Sequence, residues 1–281
     1  VSEVREPKLP SRLSPSAADT FEGCPKKWWG KYVCRVSDPP GPAAELGTLV
    51  HAALEDLYQS PSEVRSRAAA RKFLRERGEK MIEEGSFADV DDFSAFFREA
   101  WTRLLTIWKV EEPAKVDVVA TEQKLHTEVG GVPFTGYIDR LERIDGVVVV
   151  DDYKTGKRPS PQYAEPKNRQ LQLYAIATNN AMPELNVQGA RLIWLNSNGA
   201  IWNVDCSPEA LDRTTSYFQN VWTELAASVQ TNTWEEKPGP LCGWCPVLPM
   251  CDSGKAEVRW RANEGKLKET APAWNIEEQW R

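Results

Sequence analysis

The chain has very little histidine, two residues in 281, so acid–base or metal chemistry must rest mainly on carboxylates, lysines and thiols. It has no apolar run near the ~20 residues that cross a bilayer. Its first stretch, VSEVREPKLPSRLS, lacks the apolar core of a signal peptide. A cytoplasmic protein without membrane association is therefore expected. Neither GxGxxG nor GxxxxGK followed by Ser or Thr occurs, which excludes the common glycine-loop phosphate cradles. Positive charge is not in excess: 35 Lys and Arg face 41 Asp and Glu, a net −6. That excludes a protein coated in positive charge for nucleic acid and leaves room for a local basic groove. No internal repeat or low-complexity tract is present.

What is present describes an ordinary globular chain, 41% hydrophobic and 27% charged, long enough to bury a sizeable core. Twelve tryptophans are many for this length; most should pack, leaving a minority to stack on exposed bases. Six cysteines in a chain read as cytoplasmic point to metal or redox chemistry before disulfides. Cys242, Cys245 and Cys251 cluster in CGWCPVLPMC, whereas Cys24, Cys34 and Cys206 are scattered.

Taken in order, Ser14-Pro15 opens a helix expected to continue through Phe21, Cys24, Trp28 and Tyr32. A second helix is expected from about Ala43 to Tyr58, with His51 and Glu55 one turn apart on it. Residues 61 to about 109 read as helical, with a basic run from Arg65 to Arg77 and an apolar stripe from Phe93 to Trp108. A strand at 116–127 and a Gly130-Gly131 turn lead into GYIDRLERIDGVVVVDDYKTGK, where Asp145-Gly146 divides two apolar runs as a hairpin turn would. After a loop spaced by Pro159, Pro161 and Pro166 come a helix over 168–179, strands at 187–195 and 201–205, and a helix from Pro208 to about Val229. Such an order suggests an α/β core with a small mixed sheet.

The hairpin carries the chemistry. Strand side chains alternate, so Asp152 and Lys154 share a face roughly 7 Å apart, and Asp151 and Tyr153 take the other. Asp139 and Asp152 on paired strands could give oxygen ligands to a hard divalent cation, with Lys154 orienting the attacking water or neutralising phosphate charge. The plain alternative is a surface hairpin with ordinary ion pairs. Likewise His51 is either a ligand or a packed core histidine, and Gln170 with Tyr174 is either functional or structural. The spacing Cys-x2-Cys-x5-Cys plus one further thiolate would close a four-sulfur site, with Cys24 the natural fourth. Spacing does not separate zinc from iron–sulfur.

Together GTLVH (Gly47–His51), GYIDRLE (Gly136–Glu142), DYKTGK (Asp152–Lys157) and QLQLY (Gln170–Tyr174) resemble RecB-like nucleases of the PD-(D/E)XK superfamily. The cysteine frame resembles its iron–sulfur subgroup, which includes the AddB nuclease domain and the CRISPR-associated exonuclease often called Cas-four, also carried by phages. The resemblance implies a restriction-endonuclease-like α/β fold, a small mixed sheet flanked by helices. It implies His51, Asp139 and Asp152 as ligands of Mg²⁺ or Mn²⁺ and Lys154 as the catalytic lysine. Gln170 and Tyr174 would lie near the metal and the DNA backbone. Cys24, Cys242, Cys245 and Cys251 would hold a structural 4Fe–4S cluster. The doubled Asp151-Asp152 raises a register question that the Asp-x-Lys spacing answers for Asp152.

The expected organisation is an N-terminal helix over 1–42, a first motif helix over 43–60 and a helical insertion or cap over 61–112. The nuclease core takes 113–235, the cysteine cluster 236–255 and a tail 256–281. The expected function is a DNA exonuclease acting on single-stranded or frayed ends, with Trp28 or Trp29 and the Arg65–Arg77 helix as candidate contacts. The alternative is a DNA-end-binding module, with little catalysis of its own, in a recombination or CRISPR-adaptation complex.

Overall fold

A computed structural model describes residues 6–87, 90–160, 164–196 and 198–281. Helix α1 (Pro15–Gly23) is capped by Ser14, whose hydroxyl accepts from the Ala17 N–H at 3.2 Å. The expected single helix is two helices: Cys24 is extended (φ −166°, ψ 106°) and α2 (Pro25–Tyr32) starts after it. The cause is Pro25, which disfavours helical geometry in the residue before it and lacks an N–H. Next come α3 (Pro42–Gln59), α4 (Arg67–Glu83), α5 (Phe93–Leu105) and the short α6 (Ile107–Val110), so the 61–109 stretch is broken rather than helical throughout.

Strands β1 (Asp117–Val129), β2 (Val132–Ile144) and β3 (Val147–Lys154) form two antiparallel hairpins. Both turns are two residues long with left-handed backbone, Gly130 (φ 57°)–Gly131 (φ 78°) and Asp145 (φ 50°)–Gly146 (φ 85°). That geometry matches the twist of the flanking strands. Helix α7 (Glu165–Ala181) crosses over to β4 (Val187–Trp194), parallel to β3, and β5 (Ala200–Val204) closes the order β1-β2-β3-β4-β5. A parallel neighbour requires such a crossover. Helices α8 (Pro208–Thr231) and α9 (Asp252–Asn263) complete the chain. Of the proline-spaced loop, Pro161 lies outside the described residues.

The chain divides into two compact units, one of Pro40–Ser216 and one of the residues up to Pro39 with Tyr217–Arg281. In the first, the α3 face of Leu49, Val50, Ala53, Leu54 and Leu57 is fully buried with residues of α4, α5 and the sheet. Each such leucine contributes about 1.5–3 kcal/mol. Gly78 lets α4 approach α5, since a Cβ there would meet the Phe97 ring at 2.3 Å. The basic run is partly spent on this packing. Arg65 donates to the carbonyls of Ser60 and Val116 at 2.9 and 2.8 Å, and Arg77 pairs with Asp56. These two are fold contacts, not free phosphate ligands.

In the second unit, Trp28 stacks on Trp234 (centroids 5.5 Å apart, planes at 10°) and Trp29 lies beneath the Lys26 ammonium. Both rings are buried, at 2% and 9% exposure, so neither is the stacking platform expected of them. Gly30 packs on Val247, where a Cβ would come within 2.3 Å. The tail docks through Trp280, buried with Leu248, Val258 and Leu267, its indole N–H donating to the Ala273 carbonyl at 2.7 Å. Trp274 packs beside it, and Trp260 stays 46% exposed. Among the described residues, no helix is long and apolar enough to cross a membrane.

Candidate active site

The β2–β3 ladder runs from Ile144↔Val147 to Arg140↔Asp151 and pairs no further. Asp139 and Asp152 are the next residue on each strand. Freed from the ladder, Asp139 uses its carboxylate to accept the Tyr153 N–H at 2.7 Å, replacing the missing rung. The same oxygen lies 3.3 Å from Nδ1 of His51 on α3. The imidazole stands edge-on to the Tyr153 ring at 5.8 Å. Gly47, one turn before His51, sits where a Cβ would press within 3.2 Å of the Thr155 hydroxyl; glycine lets α3 approach the end of β3.

Asp152 is 4% exposed and ion-paired with Lys154. The Lys154 contact is made by its Oδ2, which has no further hydrogen-bond partner among the described residues. The Lys154 ammonium reaches Oε1 of Gln170 on α7 at 3.5 Å, and the Gln170 amide donates to the Tyr174 hydroxyl at 3.2 Å. Tyr174 lies edge-on to Phe134 and over Gly136, where a Cβ would meet its ring at 2.6 Å. All six expected active-site residues thus fall into two linked sets, His51–Asp139 and Asp152–Lys154–Gln170–Tyr174.

The electrostatics separate the two acids. Burial works against charge on Asp139, but His51, the Tyr153 N–H and Lys154 outweigh it and lower its pKa. Asp152 goes the other way, raised by burial and by the neighbouring Asp139 charge against the pull of Lys154. Burial opposes an imidazolium at His51, and Asp139 overcomes it to raise that pKa. A buried carboxylate oxygen met by an ammonium, beside a second carboxylate and an imidazole, is a donor set that fits a hard divalent cation. Among the described residues, however, no three His, Cys, Asp or Glu side chains are drawn together around a single point.

Two features here escaped sequence reasoning. Glu122 of β1 lines the cleft with His51, Glu55 and Asp139, in a left-handed conformation rare for glutamate (φ 45°). Burial, then the charges of Asp139 and Glu55, push its carboxyl up to about 7. The Gly130-Gly131 turn was a usable signal, because counting back along the hairpin from Val129↔Val132 puts Glu122 opposite Asp139. The second feature is Arg140, fully buried and ion-paired with Asp151, Glu111 and Glu142. Asp151 is accordingly a structural acid on the far side of β3 from Asp152.

A family profile of the PD-(D/E)XK nuclease superfamily matches residues 12–252. The chain belongs to the PD-(D/E)XK nuclease superfamily. Its five-stranded mixed sheet flanked by helices is the expected fold. The Gene 69 protein of Mycobacterium phage L5 is 26% identical over 133 residues, 47% of this chain and 44% of the relative, so the match spans less than half of that protein's length. A solved structure from Eubacterium rectale, provisionally named an exonuclease, superposes with a TM-score of 0.54 at 14% identity. That match covers 80% of this chain and 84% of the other, and shows likeness of fold.

In the unit that contains α1, α2 and α9, Cys24, Cys242, Cys245 and Cys251 line one cavity with Lys26, Lys27 and Lys237. The break at Pro25 is what turns Cys24 out of helical geometry there. Backbone N–H groups of Gly239 and Gly254 point at the sulfurs of Cys242 and Cys251, both at 3.3 Å. Gly254 packs close to the cavity, since a Cβ there would lie 3.0 Å from the Cys251 sulfur. As free thiols, Cys242 and Cys245 are raised in pKa by burial, and burial pushes Cys251 up to about 11. N–H donors aimed at sulfur favour a thiolate, so this lining fits a thiolate-bound cofactor, although the sulfurs are not closed to single-ion spacing. Cys34 and Cys206 are half-buried and stand outside it.

Proposed function

We propose that this chain is a metal-dependent DNA exonuclease that hydrolyses phosphodiester bonds at single-stranded or frayed ends. The observation that carries the reading is Asp152, a buried carboxylate held by a lysine beside a second acid and a histidine at the open end of a strand pair. His51, Asp139 and Asp152 would hold Mg²⁺ or Mn²⁺, which when bound supplies Lewis-acid activation of water and of the scissile phosphate. Lys154 orients the attacking water or neutralises developing phosphate charge, and Gln170 holds the ammonium in place. Tyr174, fixed by Gln170, extends the set along α7 toward the DNA backbone.

The four cavity cysteines would hold a structural 4Fe–4S cluster, placing the chain in the iron–sulfur subgroup with AddB-type and Cas-four-type nucleases. Its setting would be cytoplasmic, in recombination or CRISPR adaptation alongside protein partners. Support comes from the lining of one cavity by all four thiols and from the N–H groups directed at two of them.

The deciding experiment is cleavage of DNA labelled separately at each end, with Mg²⁺, Mn²⁺ or chelator. Wild-type protein should degrade ends with either metal and stop with chelator. Asp152→Ala and Lys154→Ala should each lose about 10³-fold in rate while still binding DNA. Unchanged cleavage by either variant refutes the assignment.

A further inference from the structure

The charged network behind the candidate site does more than fill the core. Arg140 is fully buried, and its guanidinium grips both oxygens of Glu111 at 2.7 and 2.9 Å. Its other edge holds Oδ2 of Asp151 at 3.0 and 2.9 Å. Arg191 of β4 takes the remaining oxygen of Asp151 at 2.7 Å. Tyr58 of α3 lies under the Arg140 guanidinium at 4.3 Å, and its hydroxyl bonds Glu111. The same ring stacks on Tyr153, against which His51 stands edge-on.

Arg140 and Asp151 form the last paired rung of β2 and β3, and the following residues are Asp139 and Asp152. The β2–β3 ladder stops at that rung, and past it the Tyr153 N–H ties Asp139 to β3. A planar guanidinium held at both edges fixes direction as well as distance, which a flexible ammonium does not. Buried ion networks are weak contributors to stability compared with apolar packing, so a network at this rung is better placed to set geometry.

We propose that Arg140, clamped by Asp151 and Glu111, is a positioning residue that sets the spacing between Asp139 and Asp152 and so the affinity of the site for its divalent cation. The proposal rests on the nuclease reading above. It involves no contact between Arg140 and substrate.

The test uses the full chain and Mn²⁺ alone, with binding read from the electron paramagnetic resonance of free Mn²⁺. Arg140→Lys keeps the charge and loses the fork; Glu111→Gln removes the outer clamp; Tyr58→Phe removes one hydroxyl. Arg140→Lys should bind Mn²⁺ about ten-fold or more weakly. Its kcat should fall at fixed Mn²⁺, recover partly as Mn²⁺ is raised, and leave KM for DNA unchanged. Glu111→Gln and Tyr58→Phe should shift Mn²⁺ binding in the same direction by less, and they carry the test if Arg140→Lys does not fold. Wild-type Mn²⁺ binding and kcat in the folded variants, with only a lower melting temperature, would overturn the proposal. Asp152→Ala separates it from its premise: loss of both Mn²⁺ binding and cleavage upholds the site, and wild-type cleavage brings down the nuclease reading itself.

Discussion

Two neighbouring pairs of residues on β2 and β3 have opposite fates. Arg140 and Asp151 are buried and saturated with partners; one residue along, Asp139 is met by His51 and the Tyr153 N–H, while Asp152 is buried with Lys154 as its ion-pair partner and burial raises its pKa. Same strands and similar burial give a structural rung and a candidate reaction centre. The difference lies in whether every buried charge has been answered. A protein can leave Asp152 wanting because the adjacent rung is so fully occupied.

The comparison can be broken most severely on its structural side. Asp151→Ala leaves the buried Arg140 and the half-buried Arg191 without the acceptor they share, and should cost about 3–5 kcal/mol in denaturant melts. Asp152→Ala, which removes an acid already strained by Asp139, should change stability by less than ~1 kcal/mol. Equal losses in the two variants would erase the distinction. The next effect lies at Gly136. Gly136→Ala drives a methyl into the Tyr174 ring and should cost about 1–3 kcal/mol. It should also lower cleavage by loosening Gln170 from Lys154; full activity at reduced stability would detach Tyr174 from the site.

A smaller effect concerns pH. Burial pushes the Glu142 carboxyl up to about 7 despite the adjacent Arg140 and Arg191. Because the folded value is the higher one, the folded state holds the proton longer. The stability Glu142 supplies is present below the ordinary glutamate range and is lost as pH rises through about 7. Thermal melts between about pH 5 and 8 should slope downward, and Glu142→Gln should flatten that slope by on the order of 1 kcal/mol. An unchanged slope would place the titration elsewhere.

The cysteine cavity offers a separate contrast, with Cys251 buried and Cys24, Cys242 and Cys245 half-buried around it. Cys24→Ala or Cys245→Ala should give colourless, poorly soluble protein when purified anaerobically. Brown, soluble mutant protein with full iron content would remove the cluster from the proposal, and a colourless wild type containing zinc would replace it.

Much of this architecture was legible in local chemistry. Two hairpin turns announced themselves as Gly130-Gly131 and Asp145-Gly146, and alternation along β3 separated Asp151 from Asp152 without coordinates. Pro25 also carried its signal, but the helical spacing of Phe21, Cys24 and Trp28 spoke louder, and the break went unread. Arg140 could not be read at all. A buried arginine depends on acceptors from Glu111, Glu142 and Asp151, and no local pattern declares that these will meet. Trp28 failed for a related reason: composition cannot tell an exposed ring from a core ring when the covering residue, Trp234, is distant in sequence.

The placement of β3 between an antiparallel and a parallel neighbour has a consequence for how this gene can change. Deleting one codon between Val147 and Asp151 would leave the reading frame intact yet turn every later side chain of the strand to the opposite face. Lys154 would then be presented toward Tyr58, and Tyr153 would be turned toward α7. Substitutions along β3 can be sampled one at a time, but its length cannot drift, and a deletion scan should find this segment far less forgiving than the Gly130-Gly131 hairpin tip.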